Sequence, residues 1–210
     1  MDAFGVVSLI IGIIGVISGV IGIFVSAIYN KKLTILKKEL ITIDWHDMKN
    51  ASDEMAMSVR KKNFLPDIIF TPDIKCGAVA HMMESELSKA KAIRIPILVG
   101  ILVWNDEKSI SIPPQTFDKY VKTDKWTSHI PKELYSNPGK KILIVDDFCK
   151  SGDLVQKLRE FLINRGIPKA NIEVACIIAT KIARDTTALP DYYWKETNSS
   201  DFYFPWGPGR

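Results

Sequence analysis

The stretch Ile142-Leu143-Ile144-Val145-Asp146-Asp147-Phe148-Cys149-Lys150-Ser151-Gly152-Asp153-Leu154 concentrates the chemistry of this 210-residue chain. Four apolar residues run into two adjacent carboxylates. A short Ser-Gly loop follows, and then Leu154, Leu158, Phe161 and Leu162 recur at helical spacing. In open α/β sheets, ligands bind outside the carboxyl ends of the strands. A loop that enters a helix offers free backbone N–H groups, and the helix dipole favours phosphate there. Asp146 and Asp147 can accept hydrogen bonds from vicinal hydroxyls, and their oxygens can hold Mg²⁺ directly or through water. Together these parts describe a sugar-phosphate site, with phosphate on Lys150, Ser151, Gly152 and Asp153 and ribose plus Mg²⁺ on the acid pair. The plainer alternative is a solvated strand end followed by an ordinary helix cap.

The elements that must position these residues alternate. Asp44-x-x-Asp47 has the form of a helix start, and Met48, Met55 and Val59 continue it at helical spacing. Ile68-Ile69-Phe70 reads as a buried strand. Gly77 opens a helix with Val79, Met82, Met83 and Leu87 on one face. Ile93 to Trp104 is a strand region, and Asn105 to Lys125 a loop or hairpin. The strand Lys141 to Val145 ends at Asp146-Asp147. The next helix stops near Gly166-Ile167-Pro168, Ile172 to Thr180 is a further strand, and a short strand lies around Phe202 to Phe204. Strands alternating with helices predict an α/β fold with a doubly wound, mostly parallel sheet over residues 44–210.

The N-terminal end differs. Ala3 to Asn30 carries no charge, and Phe4 to Ile28 is almost wholly Ile, Val, Gly, Leu, Phe and Ser. As a helix this run is about 37 Å long, against roughly 30 Å for a hydrocarbon core. A transmembrane helix over 1–30 and a basic linker over 31–43 are therefore expected, with Lys31, Lys32, Lys37 and Lys38 against lipid headgroups. The positive-inside rule puts the N-terminus outside and the globular part in the cytoplasm. Small residues at Gly5, Ser8, Gly12, Gly15, Gly19, Gly22 and Ser26 form a seam of 3–4 spacing that suits self-association into a homo-oligomer.

Composition sets outer limits. A balance of 28 Lys+Arg against 24 Asp+Glu, net +4, does not imply a nucleic-acid partner. Cys76, Cys149 and Cys176 are an odd, widely spaced set that suits neither a disulfide scaffold nor a zinc site and fits a reducing compartment. His46, His81 and His129 lack metal-ligand spacing.

The apolar run, double acid and Ser-Gly loop resemble the 5-phosphoribosyl-1-pyrophosphate (PRPP) signature of type I phosphoribosyltransferases. The resemblance extends through Trp45, Pro66-Asp67-Ile68-Ile69 and Gly77. It continues in Ala179-Thr180-Lys181, Leu189-Pro190-Asp191-Tyr192-Tyr193 and the Phe204-Pro205-Trp206 ending, which look like purine and xanthine-type members. It implies transfer of phosphoribosyl from PRPP, with Mg²⁺, to a nucleobase-like acceptor. It also implies that Asp146, Asp147 and Lys75 serve catalysis, with Gly77 in the pyrophosphate loop. Lys181 would meet the base, and one of Tyr192, Tyr193 or Trp194 would stack on it. Three positions depart from the family pattern. Lys150 stands where an acid is common, Ser151-Gly152-Asp153-Leu154 replaces Thr-Gly-Gly-Thr, and Ile74-Lys75-Cys76-Gly77 replaces Arg-Gly-Gly. The alternative reading is a catalytically degenerate nucleotide- or partner-sensing domain coupled to a self-associating membrane helix, a membrane effector of the kind found in bacterial defence.

Overall fold

The computed structural model describes residues 19–31, 41–105, 115–198 and 202–209. The chain divides into two units, Met1–Ile41 and Thr42–Arg210. In the first, residues 19–31 form a helix, α1, with exposed side chains. An added Cβ at Gly19 or Gly22 would meet nothing within 4 Å. Among the described residues no helix is long and apolar enough to cross a membrane. Most of the expected span, with Gly5, Ser8, Gly12 and Gly15, lies outside the described residues, as do Lys32, Lys37 and Lys38.

After a two-residue strand β1 (Ile41–Thr42), helix α2 runs over Trp45–Lys61. Its start is the expected one. Asp44 accepts from the Asp47 N–H at 2.8 Å, and Asp47 accepts from the Asp44 N–H at 3.3 Å, so the two acids satisfy two otherwise unpaired donors. Met48, Met55 and Val59 are buried as the spacing predicts. Strand β2 (Ile68–Thr71) and a short 3₁₀ turn (Ile74–Cys76) lead into α3 (Gly77–Lys91).

The predicted strand region 93–104 is two strands, β3 (Ile97–Val99) and β4 (Ile101–Trp104), in different sheets. Gly100 separates them. A Cβ there would lie 3.0 Å from the carbonyl oxygens of both His129 and Pro72, so a side chain would push these backbones apart by a few tenths of an ångström. Strand β4 pairs antiparallel with β6 (Trp126–Ile130), which pairs antiparallel with β5 (Lys119–Lys122). Within the segment expected to be a loop or hairpin, β5 forms one arm of an antiparallel hairpin with β6, while residues 106–114 lie outside the described set.

A short helix α4 (Lys132–Tyr135) precedes β7 (Ile142–Cys149), α5 (Asp153–Asn164), β8 (Ile172–Thr180), α6 (Lys181–Asp185) and β9 (Tyr192–Thr197). The central sheet has the order β3-β2-β7-β8-β9, and every neighbouring pair is parallel. Alternation along β7 fills both faces, as a doubly wound sheet requires. Leu143 and Val145 join the core under α2 and α3, and Ile142 and Ile144 join the core under α4 and α5. The chain closes with β10 (Phe202–Phe204) and β11 (Gly207–Pro208), paired antiparallel, and the Ile43 N–H donates to the Tyr203 carbonyl at 2.8 Å.

Candidate active site

Asp146 and Asp147 lie inside β7 rather than beyond its end, because β8 extends the parallel ladder through Phe148↔Ile178 and Cys149↔Ala179. Tertiary pairing thus carries two carboxylates into the sheet. Asp146 is only 8% exposed. Its Oδ1 accepts from the Cys76 thiol at 3.2 Å and from the Asp147 N–H at 3.0 Å. Asp147 is half-buried, and its Oδ2 accepts from the indole N–H of Trp206 at 2.9 Å.

Burial pushes both carboxyls well above the usual carboxylate range. For Asp146 the next influence is the charge of Asp147, in the same direction. For Asp147 the Trp206 hydrogen bond and the Lys75 charge pull back. The pair therefore lacks enough positive charge around it, a condition that a cation or a set of hydroxyl donors would relieve.

The acid pair lines a cleft of about 540 Å³ together with Lys75, Lys150, Ser151, Gly152 and Asp153. Each comes from a different constraint. The Asp73 side chain accepts from the Lys75 N–H at 3.3 Å and shapes the turn that brings Lys75 to the acids. Gly152 has φ +76°, and an added Cβ would sit 2.4 Å from both Cβ and O of Ala188. No side chain fits there, so the loop can pack on the α6–β9 connection only with glycine. Asp153 opens α5 and pairs with Lys157 at 3.5 Å.

Five of the expected site residues lie elsewhere. Gly77 begins α3 outside the cleft lining. Lys181 is exposed at the start of α6. Thr180 caps that helix by accepting from the N–H groups of Ile182 and Ala183, and the resulting turn sends Ile182, not Lys181, to the cleft. Tyr192, Tyr193 and Trp194 belong to edge strand β9 and face a separate hollow against α2, with Glu54, Met55, Ser58 and Lys62. Tyr192 is buried, its hydroxyl is bonded to Glu173, and Lys62 lies over its ring. Lys195 covers Trp194 at 3.7 Å from the ring centroid. The Leu189-Pro190-Asp191 motif is structural as well, since Asp191 accepts from the Val174 N–H at 2.7 Å and pairs with Arg159.

Conversely, sequence reasoning missed Trp206, Trp104 and Trp126. Trp206 stacks on Phe204 at 5.4 Å and meets Trp45 edge-on at 6.0 Å. That packing aims its only polar atom, an N–H donor, at Asp147. The Phe-Pro-Trp ending was the available signal, but a separation of 59 residues gave no hint of the partner.

The donor set decides whether Mg²⁺ can sit between the acids. Two carboxylates offer the hard oxygens it prefers. Cys76, whose sulfur falls within 4.8 Å of both acids' ligand atoms, does not suit Mg²⁺, and burial keeps its thiol protonated. The acids fit the ion, and the thiol serves as a hydrogen-bond donor behind them. The thiols of Cys149 and Cys176 are also buried, in no disulfide, and donate to the carbonyls of Ala188 and Ile178; burial pushes Cys149 up to about 12, which leaves no reactive thiolate in the loop.

A parallel sheet with acids, a lysine-bearing turn and a glycine-dependent loop brought together in one cleft is the arrangement in which open α/β proteins carry their ligand sites. The sequence matches the phosphoribosyl transferase domain over residues 43–210, and the chain belongs to that family. Solved structures share the fold. The purine phosphoribosyltransferase of Pyrococcus horikoshii Ot3 aligns with a TM-score of 0.55 at 20% identity, covering 80% of this chain and 94% of that one. The xanthine-guanine-hypoxanthine phosphoribosyltransferase of Helicobacter pylori aligns at 0.56 and 15%, covering 80% and 94%. A hypothetical protein of Neisseria gonorrhoeae with bound ppGpp aligns at 0.59 and 15%, covering 80% and 89%. No curated protein sequence matches significantly.

Proposed function

We propose that this protein is a membrane-anchored phosphoribosyltransferase that takes PRPP and Mg²⁺ and transfers phosphoribosyl to a nucleobase-like acceptor. One observation carries the reading: Asp146 and Asp147 line a single cleft together with Lys75 and the Ser151–Gly152 loop. A cleft of about 540 Å³ lined by these groups has room for a ribose with a phosphate at each end. In this reading the loop N–H groups at the start of α5 bind the 5-phosphate. Asp146 and Asp147 accept from the ribose hydroxyls and hold the ring for attack. Lys75 offsets the charge that develops on pyrophosphate as the C1–O bond breaks. Asp146 and Asp147 would hold Mg²⁺, which when bound neutralises charge on the leaving group. Trp206 fixes the rotamer of Asp147 through its indole N–H.

The test is pyrophosphate release by the full-length chain given PRPP, Mg²⁺ and a panel of nucleobases. Release that Asp147→Asn abolishes supports the reading. No release by folded protein across the panel overturns the transferase assignment.

The anchor is part of the same proposal. The uncharged run 3–30 spans the bilayer, N-terminus outside, and the small-residue seam joins copies of the chain. The protein should then resist alkaline extraction from membranes, and Gly15→Leu should lower its oligomeric state.

A further inference from the structure

Two features of the cleft are not explained by PRPP. The first is an apolar wall. Trp104 and Trp126 are opposite one another in the β4–β6 ladder, with ring centroids 3.9 Å apart and planes tilted by 34°. Both are half-buried, and both line the cleft, as do the apolar Leu102, Leu154 and Ile182.

The wall stands on the phosphate-loop side. The Lys157 ammonium on α5 donates to the Lys122 carbonyl at 3.2 Å and pairs with Asp153. The turn from Lys122 to Trp126 is closed by the Thr123 N–H on the Trp126 carbonyl at 2.8 Å. A terminal phosphate calls for N–H donors and cations and gains nothing from two indoles.

The second feature is Asp153 itself. Its carboxylate stands at the first residue of α5 and lines the cleft where the phosphate is expected. A terminal phosphate monoester carries a charge of about −1.5 to −2 near neutral pH. A pyrophosphate bridge spreads about two charges over two phosphorus centres, so the centre nearest Asp153 repels it less than a terminal monoester does. A bridging phosphate must also continue into another group, and the group next along is met by indole faces.

We propose that the cleft takes a pyrophosphate-linked dinucleotide, with one ribose on Asp146 and Asp147, the bridging phosphates at Ser151–Asp153, and an aromatic base stacked on the Trp104–Trp126 wall. This rests on the reading of the acid pair as a ribose site but not on transfer to a free base. Lys157 partly offsets the Asp153 charge, and the wall supplies affinity that a sugar phosphate without a base does not gain.

The experiment titrates the full-length chain with Mg²⁺ and four probes (NAD⁺, ribose 5-phosphate, PRPP and free adenine) by calorimetry and tryptophan fluorescence. NAD⁺ should bind roughly tenfold tighter than ribose 5-phosphate, in line with base–aromatic stacking, and should quench indole emission. Trp126→Leu should erase that advantage and leave ribose 5-phosphate binding unchanged, while Trp126→Phe keeps most of it. Trp104→Leu serves as the second variant if Trp126→Leu does not fold.

The proposal is overturned if NAD⁺ binds no tighter than ribose 5-phosphate. It is also overturned if Trp126→Leu weakens both alike, or if adenine alone binds the wall as well as NAD⁺ does. Intact PRPP binding with no NAD⁺ advantage sinks this inference alone. Failure of PRPP and ribose 5-phosphate to bind at all sinks the ribose reading beneath it.

Discussion

Replacing Asp146 by Asn should stabilise the ligand-free protein at neutral and alkaline pH while destroying its ability to bind PRPP. Asn has the same shape, and its amide oxygen can still accept from the Cys76 thiol and the Asp147 N–H. What it cannot do is ionise. Burial and then the Asp147 charge hold the Asp146 carboxyl far above its usual range, to about 7. The folded pKa thus lies above the unfolded one, and between the two the native state binds the extra proton. Stability from this group is fully present below the unfolded value and is lost as pH rises through the folded one. Each pKa unit corresponds to about 1.4 kcal/mol, so the acid pair strains the native state by on the order of a few kcal/mol near pH 8. Recovering about 2 kcal/mol would raise the melting temperature of a domain this size by roughly 4–8 °C. The assay is calorimetric melting of the full-length chain without Mg²⁺ across a pH series. The Asn variant should lead near pH 8, and the lead should vanish near pH 4, where the wild-type acids are already protonated. An Asn variant that melts lower than wild type near pH 8, or a difference indifferent to pH, would refute the account of the pair as unrelieved buried charge.

Gly152→Ala should cost roughly 2–4 kcal/mol in denaturant unfolding, because the new methyl meets Ala188 at 2.4 Å on a backbone with φ +76°. Asp153→Thr should tighten PRPP binding by about 3- to 10-fold in calorimetry, since it removes a like charge of at least ~1 kcal/mol from the phosphate position. Lys75→Met should weaken PRPP binding by at least about tenfold, as loss of a charge-assisted contact does. Lys181→Met should leave the acceptor KM within about twofold, its side chain lying outside the cleft lining, because surface charges contribute little.

The framework was legible where one residue's neighbours in sequence decide its place. The capping pair Asp44 and Asp47 marked the start of α2 because both partners lie within one turn. The apolar run Ile172–Thr180 gave β8 at its observed ends because buried parallel strands read as continuous hydrophobic stretches. The acids and the Ser-Gly loop were read from one short motif and Lys75 from the family resemblance, and all of them line the same cleft. Other features escaped because non-local contacts decide them. Nothing near Asp146 says that β8 will draw the ladder past it, and nothing near Gly100 says that two carbonyls will press on it. Tyr192 looked like a base-stacking residue by resemblance. Strand alternation and the Glu173 partner turned it into the sheet instead.

The extension of β7 past the acids ties stability to function. A carboxylate beyond a strand end would be solvated and inexpensive, and a ligand would gain little by reaching it. A carboxylate held within the ladder has already lost most of its water, so a ribose hydroxyl or Mg²⁺ finds an acceptor that water does not compete for. The cost falls on the apo fold, and ligand binding to the native state alone returns it. On this view the Cys76 thiol, the Asp147 N–H and the Trp206 indole offset the penalty only partly. Fuller relief, by more or stronger donors, would stabilise the empty protein and weaken the pull on its substrate. Removing the Trp206 donor should act in the opposite sense, raising the Asp147 pKa further, so that Trp206→Phe shifts the pH dependence of PRPP binding upward while the Phe204 stack is preserved.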